Sequence, residues 1–275
     1  MRQFAVLGLL VLSAPAFGDD LYTFSSESRG GLIEGIQTGK VFAAGDRYRM
    51  ELGPRDGELP LYPVVISQDG GEHETEIDPA RRFYYSRKKT SGITSPLFIL
   101  FPVMPLSRSV TNIQFTVLEQ DEPELISGFK TREVEIRLSY DLKMQLSKIE
   151  TVTGTVRLNA KYWMAADREV VLPLRLRPAI RSGIPEIDPR LTAALAKLRG
   201  LPVKQEVTIS TESPGSEPQK TVATRTIRDL RTVAAKPGRF EVPKGFQYHE
   251  PVRSRPVLPA NPPGFGPEKT PPPGD

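Results

Sequence analysis

From Arg132 to Leu146 the chain alternates apolar and polar residues without a break. Val134, Ile136, Leu138 and Tyr140 fall on every second position, and Leu142, Met144 and Leu146 continue the row. Glu133, Arg137, Asp141 and Lys143 are among the residues between them. Strict period two puts all the apolar groups on one face of a β-strand and the polar groups on the other. At roughly 3.4 Å per residue such a strand would reach about 45 Å, far beyond an ordinary one. The apolar face has to be covered, either by a packed layer or by an apolar ligand. The polar face can meet water, as antiparallel sheets allow.

The flanking sequence extends this strand into a sheet. Leu21–Ser28, Lys40–Leu52 with a bend at Gly45-Asp46, and Val64–Ile66 read as strands. Asp69-Gly70-Gly71 supplies a hairpin turn, and the return arm runs through Ile77. Phe83–Tyr85, Ile113–Val117, Val152–Tyr162 and Val170–Leu176 follow, the last interrupted by Pro173. Val203–Thr211 and Thr221–Thr232 read as two more strands, and Phe240–Pro243 as a short closing one. One helix is written clearly. Asp188 suits its N-cap and Pro189 its first turn. Leu191, Leu195 and Leu198 form one apolar stripe, and Gly200 can end it in a left-handed conformation.

Residues 1–18 read as a secretory signal. Arg2 is basic, Phe4–Leu12 is a short apolar core, and Ala14, Ala16 and Gly18 are small. Cleavage is expected between Gly18 and Asp19. The apolar run is well short of the roughly 20 residues that a transmembrane helix needs, so no transmembrane segment is expected. The chain has no cysteine. That closes the route to a lipid-modified lipoprotein and leaves no disulfide to staple an exported fold. Residues 19–250 are expected to form one domain. Nine of the last 25 residues are proline, so 251–275 reads as a disordered, polyproline-like tail. With 37 basic and 33 acidic residues the charge is close to balanced and does not argue for nucleic acid.

Several local patterns then line up. Gly45-Asp46-Arg47-Tyr48-Arg49 resembles the G-D-x-Y-R segment of the outer-membrane lipoprotein-sorting (LolA/LolB-like) superfamily. Ile77-Asp78-Pro79 followed by Arg82-Phe83-Tyr84 is similar to its next hairpin. Trp163-Met164-Ala165-Ala166-Asp167 resembles its W-x-A-x-D element, ahead of Leu172-Pro173-Leu174. Leu198–Val203 and Phe240–Phe246 are similar to the closing segments of uncharacterised periplasmic members. The resemblance implies a mainly β fold: an incomplete antiparallel barrel, or half-barrel, wrapped around one main helix, with short helical or irregular lid segments and an apolar concave face. The best-studied members carry acylated lipoproteins across the periplasm. The long insert at 91–107 and the proline-rich tail depart from those carriers.

Chemistry for catalysis is thin. The two histidines, His73 and His249, lie far apart in sequence, and there is no H-E-x-x-H, G-x-S-x-G, phosphate loop or dinucleotide fingerprint. No enzyme activity, cofactor or metal is expected. Glu72, Glu74, Glu76 and Asp78 alternate after Asp69, and a solvated strand face is the commoner reason for such a row than a cation site. Arg81, Arg82 and Arg87 could balance those charges across a hairpin.

The functional expectation is an exported, periplasmic protein that holds an acyl chain or other apolar ligand, a lipid or lipoprotein, in the half-barrel. The lining candidates are Val134, Ile136, Leu138, Tyr140, Leu142 and Met144, with Trp163 as either core or ligand contact. Pro96–Leu106 is apolar and punctuated by three prolines. It is expected to act as a lid through Phe98, Phe101 and Met104, or else as a fixed plug. The alternative is an envelope scaffold or sensor without a ligand cavity, whose tail recruits a protein partner. The leader reading predicts an exported chain that starts at Asp19. Intact-mass measurement of the secreted product checks this, and a mass that retains residues 1–18 would contradict it.

Overall fold

The structure is a computed structural model that describes residues 18–30, 34–88, 107–120, 122–145, 151–180, 182 and 184–250. The leader up to residue 17, the expected lid residues Phe98, Phe101 and Met104, and the tail 251–275 lie outside the described residues.

The strands are β1 (Asp19–Arg29), β2 (Gly35–Ala44), β3 (Arg47–Arg55), β4 (Val64–Ser67), β5 (His73–Asp78), β6 (Phe83–Lys88) and β7 (Ser107–Glu119). They continue with β8 (Glu124–Ile126), β9 (Phe129–Gln145), β10 (Thr151–Ala165), β11 (Leu201–Glu212), β12 (Gln219–Val233) and β13 (Gln247–Tyr248). The sheet order is β13-β6-β5-β4-β3-β2-β1-β12-β11-β10-β9-β7, with β8 pairing β9 off this path. All pairings are antiparallel except the short β13–β6 contact. Among the described residues the outer strands β7 and β13 do not meet. The sheet is therefore open, a half-barrel covered by one helix, as the resemblance implies.

β9 is the long alternating strand, extended by three residues before Arg132. Antiparallel pairing sets Ile136 opposite Ala160, Leu138 opposite Leu158, and Tyr140 opposite Val156. Residues opposite each other share a face. These residues therefore form one inner face, where Ile136, Leu138 and Tyr140 are at most 2% exposed. Ile180, Ile184, Ile187, Leu191 and Ala194 cover them in a single cluster. The covering helix α1 (Asp188–Leu195) is one position off the expected start: Ile187 is the N-cap and Asp188 lies in the first turn. The Asp188 carboxylate instead accepts hydrogen bonds from the Ser182 N–H and hydroxyl, at 2.6 and 2.8 Å. Gly200 adopts φ +86°, and a Cβ there would come within 2.1 Å of the Ala165 carbonyl.

A second cluster lies over β1–β4. It joins Tyr22, Phe24, Val41, Tyr48, Met50 and Val65 to Leu172 and Leu176. Gly39 makes room in it, since a Cβ there would meet the Phe24 ring at 2.6 Å. The segment carrying Leu172 and Leu176 was expected to be a strand, and it is not. It crosses the inner face as extended chain ending in a 3-10 turn at Leu174–Leu176. Pro173 has no N–H to give a ladder. Side chains supply the missing partners instead. Tyr22 donates to the Val171 carbonyl (3.2 Å), Arg177 Nε to that of Leu172 (2.9 Å), and Gln205 Nε2 to that of Leu176 (2.9 Å). Burial of these backbone groups would otherwise be costly.

Phe240–Pro243 is likewise not a strand. Val242 and Phe246 pack on Val64, Ile66 and Ile77 from the opposite, outer face, ahead of β13. Glu74, Glu76 and Asp78 are buried rather than solvated. Arg87 answers them across the hairpin, with its Nη2 at 3.3 Å from Glu74 and 2.9 Å from Glu76. Arg175 of the crossing segment pairs with Glu76, and the Tyr48 hydroxyl donates to Glu74 at 2.7 Å.

Leu191 is fully buried against β9 and β10. Leu191→Ala should lower stability by about 2–5 kcal/mol in urea unfolding, as large core truncations do. The β4–β5 turn adds a pH signature. Burial works against the Asp69 carboxylate, but hydrogen bonds from the His73 backbone, the His73 ring and Ser67 hold its pKa at about 2, below the ordinary 3.8. A depressed acid stabilises the fold above its unfolded pKa and loses that contribution as pH falls through the folded one. The stability gap between wild type and Asp69→Asn should be full at pH 6 and shrink between about pH 4 and pH 2. A gap independent of pH would contradict this.

Candidate functional site

The two inner-face clusters do not fuse. Between them, over β10, β11, β12 and β1, lies a cleft of about 190 Å³. Small side chains explain the gap. Ala223 on β12 and Ser26 on β1 line it, on the inner face that they share with Tyr162, Gln205 and Arg225. Leu158, Val207 and Ile209 form the apolar wall, and Leu174 and Ile180 of the crossing segment form the roof. Among the described residues neither a carboxylate nor an imidazole lines the cleft.

One row crosses it. Tyr162 stands opposite Gln205, Gln205 opposite Arg225, and Arg225 opposite Ser26. Arg225 sits at a position where its strand otherwise turns Ala223 and Ile227 inward. Its Nε is closed to solvent and has no hydrogen-bond partner. Burial pushes the guanidinium pKa down to about 10, with only Tyr162 acting in the other direction. Burial likewise pushes the Tyr162 phenol above its ordinary range. The Gln205 amide is fixed by its bond to the Leu176 carbonyl. Arg175 and Arg177 also border the cleft, but both are engaged: Arg175 with Glu76, and Arg177 with the carbonyls of Leu172 and Gly70.

The residues singled out from sequence are placed as follows. Ile136, Leu138, Tyr140, Leu142 and Met144 are buried in one cluster with Ile180, Ile184, Ile187, Leu191 and Ala194. Val134 is half-buried at the head of that row, opposite Tyr162. Trp163 lies on the outer face, since it pairs with Glu133. Its Nε1 donates to Glu124 at 2.8 Å, and the Lys204 ammonium sits 4.1 Å above its ring. Lys161 with Glu133 (2.9 Å) and Arg137 with Glu135 (2.7 Å) continue that outer network. Asp19 opens β1, buried and paired with Arg239, and Gly18 precedes it.

Sequence reading passed over Arg225, Gln205 and Ser26. A signal for Arg225 was present: in Thr221, Ala223, Arg225, Ile227 it is a cation in the inward phase of an alternating strand. The Trp163 face was legible too, because Ala160 and Tyr162 already fix the inward phase of β10.

No family model matches the chain, and no curated protein matches it. Five solved chains do match. One is the crystal structure of a domain from Vibrio parahaemolyticus, provisionally described as an outer membrane lipoprotein-sorting protein domain. It is 9% identical, with 82% of this chain and 90% of that chain covered and a TM-score of 0.32.

Proposed function

We propose that this is an exported, periplasmic binding protein that holds a short acyl chain or a similarly apolar ligand on the inner face of its open sheet. The observation that carries the reading is the apolar-walled cleft of about 190 Å³, roofed by a segment of the protein's own chain. That roof is tied to the sheet through side-chain hydrogen bonds and one ion pair rather than a β-ladder. A cover of this kind can shift without breaking the sheet, so the cleft can open toward a ligand. Export is read from the leader-like residues 1–18, and no described helix is long and apolar enough to cross a membrane. The cleft offers guanidinium groups, a phenol, an amide and hydroxyls, and among the described residues no carboxylate or imidazole to move protons. That supports binding over turnover.

A second reading, an envelope scaffold or sensor for a protein partner, draws on one observation. The longest apolar row, Ile136 to Met144, is sealed under the protein's own helix and the residues before it.

Calorimetric titration separates the two. The binding reading predicts uptake of 1-octanol or octanoate with a negative heat-capacity change, the mark of apolar burial. Ala223→Leu fills the cleft and should weaken uptake at least tenfold while the protein stays folded. If neither ligand binds, or if the filled variant binds equally well, the cleft is not a ligand site.

A further inference from the structure

Resting on that reading, we propose that the cleft is selective for anions: it takes a ligand with a carboxylate or phosphate head on a short apolar chain, and Arg225 receives the head. Four other arginines that reach into the fold are answered. Arg239 pairs with Asp19, Arg175 with Glu76, Arg87 with Glu74 and Glu76, and Arg177 with two carbonyls. Among the described residues no carboxylate pairs with Arg225, and its Nε–H has no acceptor. Arg55 also has an orphaned Nε, but it does not line the cleft. Arg225 is half-buried, and the Nε–H that is closed to water is costly unless it is met. Around Arg225 the strands offer Tyr162, Gln205 and Ser26, none of them an anion. The missing partner is therefore expected from outside the chain, and a fork of N–H donors suits a two-oxygen anion.

The walls specify the rest of the ligand. Leu158, Val207, Ile209 and Ile180 are apolar and line the same space as the guanidinium. At roughly 30 Å³ per water-sized group, about six heavy atoms fit within 190 Å³. That is an anionic head and the first few carbons of a chain. A longer chain has to leave past Leu174 and Ile180 or displace them.

The test compares octanoate, octyl phosphate and 1-octanol by calorimetry on the intact protein, on Arg225→Gln and on Arg225→Lys. At least one anion should bind wild type tenfold or more tightly than octanol, and the stronger of the two identifies the head. Arg225→Gln should lose at least tenfold toward that anion and keep its octanol affinity, which also shows that the variant is folded. Arg225→Lys keeps the charge without the fork and should fall between. If the anions bind no better than octanol, or if Arg225→Gln leaves anion affinity unchanged, the selectivity is overturned while the apolar cleft stands. If none of the three binds, both readings fall. Should Arg225→Gln fail to fold, the ratio of anion to octanol affinity in wild type decides, and a ratio near one overturns the proposal.

Discussion

The inner face of β9, β10 and β11 is apolar over most of its length and has to be taken out of water. At about 1.5–3 kcal/mol for each large side chain buried, that demand outweighs any single polar contact in the fold. The chain meets it with the segment between β10 and β11. Its first part, Val170–Leu176, packs over β1–β4, and its second, Ile180–Leu198, packs over β9–β11. An extended, proline-bearing segment cannot join the ladder. Tyr22, Arg177 and Gln205 therefore have to bond its carbonyls. The position of the helix, the burial of the Tyr22 hydroxyl and the Arg175–Glu76 pair all follow from the need to hold this cover in place.

The same arrangement leaves one place incompletely filled. The cover changes from one cluster to the other above Ala223 and Ser26, where the sheet itself has little side-chain volume. Packing to interior density would require larger residues there. Instead the row carries a guanidinium whose Nε–H has no acceptor. A fold that answers Arg239, Arg87 and Arg175 with carboxylates has left this one open. An underfilled apolar space and an unanswered cation in one cleft are together the physical basis for assigning binding to this face rather than to the sealed row of β9.

Much of this was legible in the sequence. Period two in β9 and β10 and the start of the Leu191 stripe depend on local pattern, and that pattern survived folding. The helix ends earlier than expected, at Leu195 with Ala196 as C-cap, so Leu198 lies outside it. The left-handed Gly200 turns the chain into β11 instead of closing the helix. Val170–Leu176 misled because Leu172, Leu174 and Leu176 alternate as a strand would, and all three are buried. The alternation reports burial, while strand pairing also needs donors in register, and only the tertiary partners of its carbonyls settle that. Glu74 and Glu76 read as solvent-facing because their arginine partners are supplied partly by Arg175, 99 residues from Glu76 in sequence. The cleft could not be read at all, since it arises where strands distant in sequence bring Ser26 and Ala223 side by side beneath the cover. Arg225 in the inward phase of β12 was its one visible trace.

The central claim is that the segment from Val170 to Leu198 is seated on the sheet in the ligand-free protein and divides its inner face. Methyl–methyl NOE measurement on selectively labelled protein tests this most directly. The account predicts cross-peaks from Ile180, Ile184 and Leu191 to Ile136, Leu138 and Leu158, which share one buried cluster. If the methyls of Ile180, Ile184 and Leu191 show NOEs only among themselves, the segment does not cover the sheet and the cleft has no roof.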